Sequence, residues 1–131
     1  MGETASSSPR VLLVDDEEVF RDTLVKVLCA RGIAAHGVAS AGEAQTFLAT
    51  HRVDVVLLDL KMPGVGGIEA LQRLVGQYPR LPIVIVTGHG TVEAGLEAVR
   101  ELAFDFLLKP VPVDHLVSVI AAAAERGTRL T

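Results

Sequence analysis

The sequence predicts an α/β fold: one parallel sheet of five strands, ordered 2-1-3-4-5, with helices on both faces as a three-layer sandwich. Short apolar runs recur along the chain, and several stop at a polar or turn residue, as strands buried on both faces do. Between the runs, apolar residues return at helical spacing, so strands and helices alternate. Right-handed crossovers then leave few topologies, of which this order is compact. At 131 residues the chain is the size of one domain, with no internal repeat.

Residues 1–9 are small, polar and serine-rich and are expected as a disordered leader. Val11–Val14 reads as the first strand, stopping at Asp15-Asp16. Phe20, Leu24, Val27 and Leu28 then mark a helix that Gly32 can end. Cys29 lies in this apolar pattern and is expected as a buried structural thiol. Ile33–Val38 is a weaker strand. Ser40 with Glu43 forms a capping-box signature for a helix to about Thr50, facing inward through Ala44, Phe47 and Leu48.

Asp54–Asp59 is the third strand. After Gly64-Val-Gly-Gly67, a third helix runs through Ile68, Leu71 and Val75 and ends before Pro79. Pro82–Val86 is a fourth strand stopping at Thr87. Thr91–Leu102 is expected as the fourth helix and Phe104–Leu108 as the fifth strand, stopping at Lys109-Pro110. Asp114 to about Arg126 is the closing helix, packed through Leu116, Val119, Ile120 and Ala123. Residues 127–131 are expected as a tail or linker stub, leaving 10–126 as the folded domain.

A net charge of -4 argues against direct binding of nucleic acid by this domain. One cysteine permits no disulfide framework, which suits a reducing cytoplasm. No apolar run approaches the roughly 18 residues of a membrane span, and no signal-peptide core opens the chain. A cytoplasmic protein without membrane contact is expected.

The strand ends carry the chemistry. In a parallel sheet the carboxyl ends share one edge, and there Asp15-Asp16, Asp59, Thr87 and Lys109 would meet. Three close carboxylates repel by several kcal/mol at an effective dielectric near 20. Either their pKa values rise or a cation sits among them. Mg²⁺ suits such a set and leaves positions for phosphate oxygens. Lys109 adds a point charge able to pair with Asp59, and Thr87 can donate a hydrogen bond to a phosphoryl oxygen. The set matches phosphoryl transfer with Asp59 as nucleophile, forming an acyl phosphate. Asp15-Asp16 is also readable as a helix N-cap pair, and Thr87 alone as a strand-end turn residue.

The stretches Val14-Asp-Asp-Glu17, Leu58-Asp-Leu-Lys-Met-Pro-Gly64, Val86-Thr-Gly-His89 and Phe104-Asp-Phe-Leu-Leu-Lys-Pro110 carry a resemblance. Over about residues 10–126 the chain resembles the response-regulator receiver domains of bacterial two-component signalling, the CheY-like superfamily. The Thr-Gly-His-Gly and Ala-Phe-Asp-Phe stretches look most like receivers attached to transcriptional output domains.

The resemblance implies a flavodoxin-like (βα)5 fold and roles by position. Asp59 accepts phosphate from a histidine kinase or phosphotransfer protein. Asp16, Asp59 and the Lys61 carbonyl ligate Mg²⁺ or Mn²⁺, and Asp15 holds the metal through water. Thr87 and Lys109 bind phosphoryl oxygens. Phe106 is the aromatic switch, turning inward with Thr87 and remodelling the face of the fourth helix, fifth strand and fifth helix. Lys61 and His89 occupy positions that govern how easily water reaches the acyl phosphate, and the bland reading leaves both solvated. Lys109-Pro110 is expected to be cis. An output domain beyond residue 131 and a phosphorylation-linked homodimer are the further partners implied. Self-phosphorylation and self-dephosphorylation are the most that is expected by way of enzyme activity.

Two positions depart from the family pattern. Val111 stands where many receivers have Phe, and Pro112 stands where many have a capping Asp. Pro112 can serve as the first helical residue instead. Phe20 is expected in the core, and His36, His51 and His115 as surface or satisfied histidines. A haloacid-dehalogenase-type enzyme also uses an Asp nucleophile, Mg²⁺ and Lys, but needs a second Asp where Lys61 stands. A pseudo-receiver would usually lack one of the acidic residues or the Lys. A flavin site would need a phosphate-cradling loop after the first strand and more aromatic residues than this chain has.

Overall fold

The computed structural model describes residues 8–60, 67–88 and 100–130, with side chains through residue 127. Its strands are β1 (Arg10–Val14), β2 (Ala34–Val38), β3 (Val55–Leu58), β4 (Ile83–Thr87) and β5 (Asp105–Leu108). They form one sheet in the order β2-β1-β3-β4-β5, as the sequence predicts. Every neighbouring pair is parallel. The described helices are α1 (Glu18–Ala30), α2 (Ala41–Thr50), α3 (Gly67–Gln77) and a closing helix, Val113–Leu130. Of the expected fourth helix only residues 100–102 are described, and they are helical. Residues 1–7 of the expected leader fall outside the described set.

Alternation along the central strands sorts the core into two layers. Leu12, Val14, Val56, Leu58, Ile83 and Ile85 face α2 and α3, where Ala44, Leu48, Leu71 and Leu74 meet them. Val11, Leu13, Val55, Leu57, Val84 and Val86 face Leu24 and Leu28 of α1 and Leu116, Ile120 and Ala123 of the closing helix. Both faces of β3 are covered, so its apolar run shows no polar alternation. β2 lies at the edge with one neighbour, and its pattern of exposed and half-buried residues makes it the weaker signal.

The helix ends follow local chemistry. Ser40 Oγ accepts from the Glu43 N–H at 3.1 Å, and Glu43 Oε1 accepts from the Ala39 N–H at 2.8 Å. The box therefore closes one residue before the cap, in place of the usual reach to the cap's own N–H. α1 ends with Gly32 at φ +85°, the left-handed conformation that glycine adopts without penalty. Gly32 N–H donates to Cys29 O and Ile33 N–H to Leu28 O, both at 3.0 Å, so two end carbonyls are satisfied.

Two expectations are corrected. Cys29 is exposed, because α1 turns Leu24 and Leu28 inward and the next position falls off that face. The closing helix does not stop near Arg126 but continues to Leu130, through the expected tail. Gly127 sits where a Cβ would come within 3.1 Å of Pro82, so here glycine permits close packing instead of ending the helix. Pro112 lies just before this helix, and its carbonyl accepts from the Leu116 N–H at 3.0 Å. His36, His51 and His115 are exposed; the first two stack on Phe47, at 4.3 and 4.0 Å between ring centroids.

Candidate functional site at the carboxyl edge of the sheet

The register brings the strand ends together. Val14 pairs with Val38 on one side and Leu58 on the other. Beyond those pairs, Asp15 N–H donates to Val38 O and Asp59 N–H to Val14 O, each at 3.0 Å. Asp15 and Asp59 thus leave adjacent strands at the same level. On the far side Lys109 N–H donates to Thr87 O at 2.8 Å, seating those two residues side by side. Asp15, Asp59 and Thr87 are all buried. The Lys109-Pro110 bond is cis, as the resemblance implies.

Lys109 reaches back across the edge. Its Nζ lies 2.8 Å from Asp15 Oδ2, 3.0 Å from Glu17 Oε1 and 3.5 Å from Asp59 Oδ2. It also stands 3.9 Å above the centre of the Phe20 ring, a cation–π contact. Its shortest contact is therefore with Asp15 and not with Asp59. Asp15 is anchored on every polar atom described: Oδ1 accepts from the Glu17 N–H at 2.9 Å, and its carbonyl accepts from Arg21 Nη1 at 3.1 Å.

Burial pushes the Asp15 carboxyl above its ordinary value of 3.8; the bonds from Lys109 and Glu17 pull it back only in part, and the charge on Asp59 adds to the rise. Burial pulls Lys109 down, but its bonds to Asp15 and Glu17 and the field of Asp59 outweigh that, so it ends above 10.5. A simple ion pair would lower the acid and raise the base. Here both rise, because one ammonium is shared among three carboxylates and Asp15 is completely buried.

Carboxylate oxygens of Asp15, Glu17 and Asp59 all lie within 4.8 Å of one another. Hard oxygen donors at that density, offset by one ammonium among the described residues, fit a divalent cation of the Mg²⁺ kind. Asp16 is exposed and stands outside that cluster. Lys61 and His89 lie outside the described residues. Phe106 is half-buried and packs against the α2–α3 core layer.

Sequence reasoning named Glu17 only within a motif and placed Phe20 in the core. Phe20 does pack against the α1 layer, yet its ring also carries Lys109. Glu17 is the N-cap of α1 and Phe20 lies in its first turn, and Lys109 meets both.

The family model for the response regulator receiver domain matches residues 11–121. Among curated relatives, the C4-dicarboxylate transport transcriptional regulatory protein DctD of Rhizobium meliloti (strain 1021) is 33% identical over 121 residues, 92% of this chain and 26% of its own length. The DNA-binding transcriptional regulator NtrC of Klebsiella pneumoniae is 33% identical over 85% of this chain and 24% of its own. The chain thus spans about a quarter of the length of the curated relatives it matches. A response regulator receiver domain from Clostridium thermocellum superposes with a TM-score of 0.85 at 30% identity, covering 94% of this chain and 99% of the other. NtrX from Brucella abortus gives 0.83 at 31% identity, over 92% of this chain and 28% of that one. With the sheet order, the carboxyl-edge cluster and a family match over most of its length in agreement, this chain belongs to the response regulator receiver domain family.

Proposed function

We propose that this domain is the phosphoacceptor of a two-component phosphorelay, with Asp59 as the residue modified. Asp59, buried at the end of β3 and 3.5 Å from the Lys109 ammonium, is the observation that carries the assignment. Its donor would be a phosphohistidine on a sensor kinase or phosphotransfer protein. An Asp59 carboxylate oxygen attacks phosphorus, and the P–N bond breaks. Its electron pair returns to the imidazole, which takes up a proton. Hydrolysis reverses the modification: water attacks phosphorus, the P–O bond to Asp59 breaks, and carboxylate and phosphate are released.

Lys109 turns from its carboxylate partners toward the phosphoryl oxygens, and Thr87 supplies a hydrogen bond to them. Asp15 and Asp59 would hold a divalent ion, Mg²⁺ or Mn²⁺, with the Lys61 carbonyl and with Asp16, which stands outside the acidic cluster here and would have to turn in to reach it. When bound, that ion offsets the charge on the phosphoryl oxygens. Phe106 and Thr87 move inward together in the modified state, changing the face formed by β5 and the helices beside it. Lys61 and His89 set how readily water reaches the acyl phosphate. Output passes to a transcription-regulating domain or partner, with a phosphorylation-linked homodimer as the second route. The setting is the cytoplasm, and among the described residues no helix is long and apolar enough to cross a membrane.

Intact-mass measurement after incubation with Mg²⁺ and a small phosphodonor tests the assignment. Wild type should gain one phosphoryl group and Asp59→Asn none. A wild-type protein left unmodified with active donor and metal present would refute it.

A further inference from the structure

We propose that Glu17 is a positioning residue that parks Lys109 away from Asp59 until a phosphoryl group arrives, an inference that rests on the phosphoacceptor reading above. The ammonium has three protons to give. Asp15 Oδ2 at 2.8 Å and Glu17 Oε1 at 3.0 Å take bonds of normal length. Asp59 Oδ2, at 3.5 Å, lies beyond that range. The Phe20 ring, 3.9 Å from the ammonium, occupies another side of it.

Of the three carboxylates, only Glu17 is exposed, with its side chain 65% accessible against 0% for Asp15 and 5% for Asp59. Asp15 is fixed by the strand end and by its bond from Glu17 N–H. Glu17 is the N-cap residue of α1, yet its side chain makes no capping bond and reaches Lys109 instead. It is therefore the partner that Lys109 can leave at least expense. Its carboxylate competes directly with incoming phosphoryl oxygens for the same donor. The same carboxylate is also close enough to Asp15 and Asp59 to serve as a metal ligand. The two roles give opposite results on substitution.

The test compares wild type, Glu17→Gln and Glu18→Gln. Glu18 is exposed on the first turn of α1 and removes the same charge without a described contact to Lys109. Two quantities are read: the Mg²⁺ dissociation constant of the unmodified protein, and the small-phosphodonor concentration giving half-maximal Asp59 modification. For Glu17→Gln the half-saturating donor concentration should fall about threefold below that of Glu18→Gln, the size expected of an exposed ion pair. Its Mg²⁺ affinity should stay within about fivefold of that of Glu18→Gln, the size expected of one exposed charge near the cation. A Mg²⁺ affinity about tenfold weaker than in Glu18→Gln would make Glu17 a metal ligand and overturn the proposal. Identical donor dependence in the two variants would overturn it as well, leaving Glu17 a solvated bystander. Absence of any phosphoryl gain in wild type would remove the phosphoacceptor reading itself, a result distinct from the other two.

Discussion

Replacing Asp15 with Asn should invert the order of stability on adding Mg²⁺. In the metal-free protein, Asp15 is attracted by Lys109 at 2.8 Å and repelled by Glu17 and Asp59 within 4.8 Å. At an effective dielectric near 20, the attraction is about 6 kcal/mol and the two repulsions together about 7 kcal/mol. The exposed Glu17 contributes less than its share, so the charges nearly cancel. What remains uncompensated is the burial of a carboxylate with no accessible surface, consistent with the raised Asp15 pKa. Asn keeps one oxygen for the Glu17 N–H and removes the charge; its amide nitrogen replaces Oδ2, so the bond from Lys109 is given up and Lys109 is left to Glu17 and Asp59. Metal-free Asp15→Asn should therefore be more stable than wild type by about 1 kcal/mol, or roughly 4 °C in Tm for a domain of this size. Mg²⁺ at a hundred times its Kd adds about 2.7 kcal/mol to wild type. The variant, short of one carboxylate, should gain much less, so wild type overtakes it. Thermal unfolding with EDTA and with Mg²⁺ reads both halves. A variant less stable than wild type without metal, or an equal metal increment in both proteins, would refute the charge accounting.

Three other outcomes are expected. Mg²⁺ affinity should fall as pH is lowered into the range to which Asp15 is raised, because proton and metal compete for its carboxylate; a fluorescence or calorimetric titration across the acid range reads it. Lys109 is raised above 10.5 in the folded protein, so its contribution to stability is whole below that pH and lost as pH climbs through its folded value; in Lys109→Gln, denaturation curves should lose this alkaline limb. Gly67→Ala should destabilise by about 2 kcal/mol in urea unfolding, since a Cβ there collides with the Leu60 backbone one residue past Asp59.

The sheet was legible because its three central strands are covered on both faces, which leaves them as unbroken apolar runs ending at the buried edge of the core. The same geometry made the site legible. A polar residue that stops such a run has its backbone fixed by the neighbouring strand, as Asp15 and Asp59 do, so sequence position alone sets where it stands. Residues on helices lack that constraint. Glu17 and Phe20 acquire their part in the site only because the Lys109 side chain crosses from β5 toward β1, a tertiary fact that no local pattern encodes. For the same reason Lys109 was paired with Asp59 on chemistry, while the structure sets it closest to Asp15. The misread closing-helix end has a different origin. Glycine disfavours helix interiors by about 1 kcal/mol, yet the helix runs on through residue 127, where a Cβ would come within 3.1 Å of Pro82 and a larger residue would be crowded. Where the backbone alone fixes a side chain, the sequence could be read; where a long side chain or a remote contact decides, it could not.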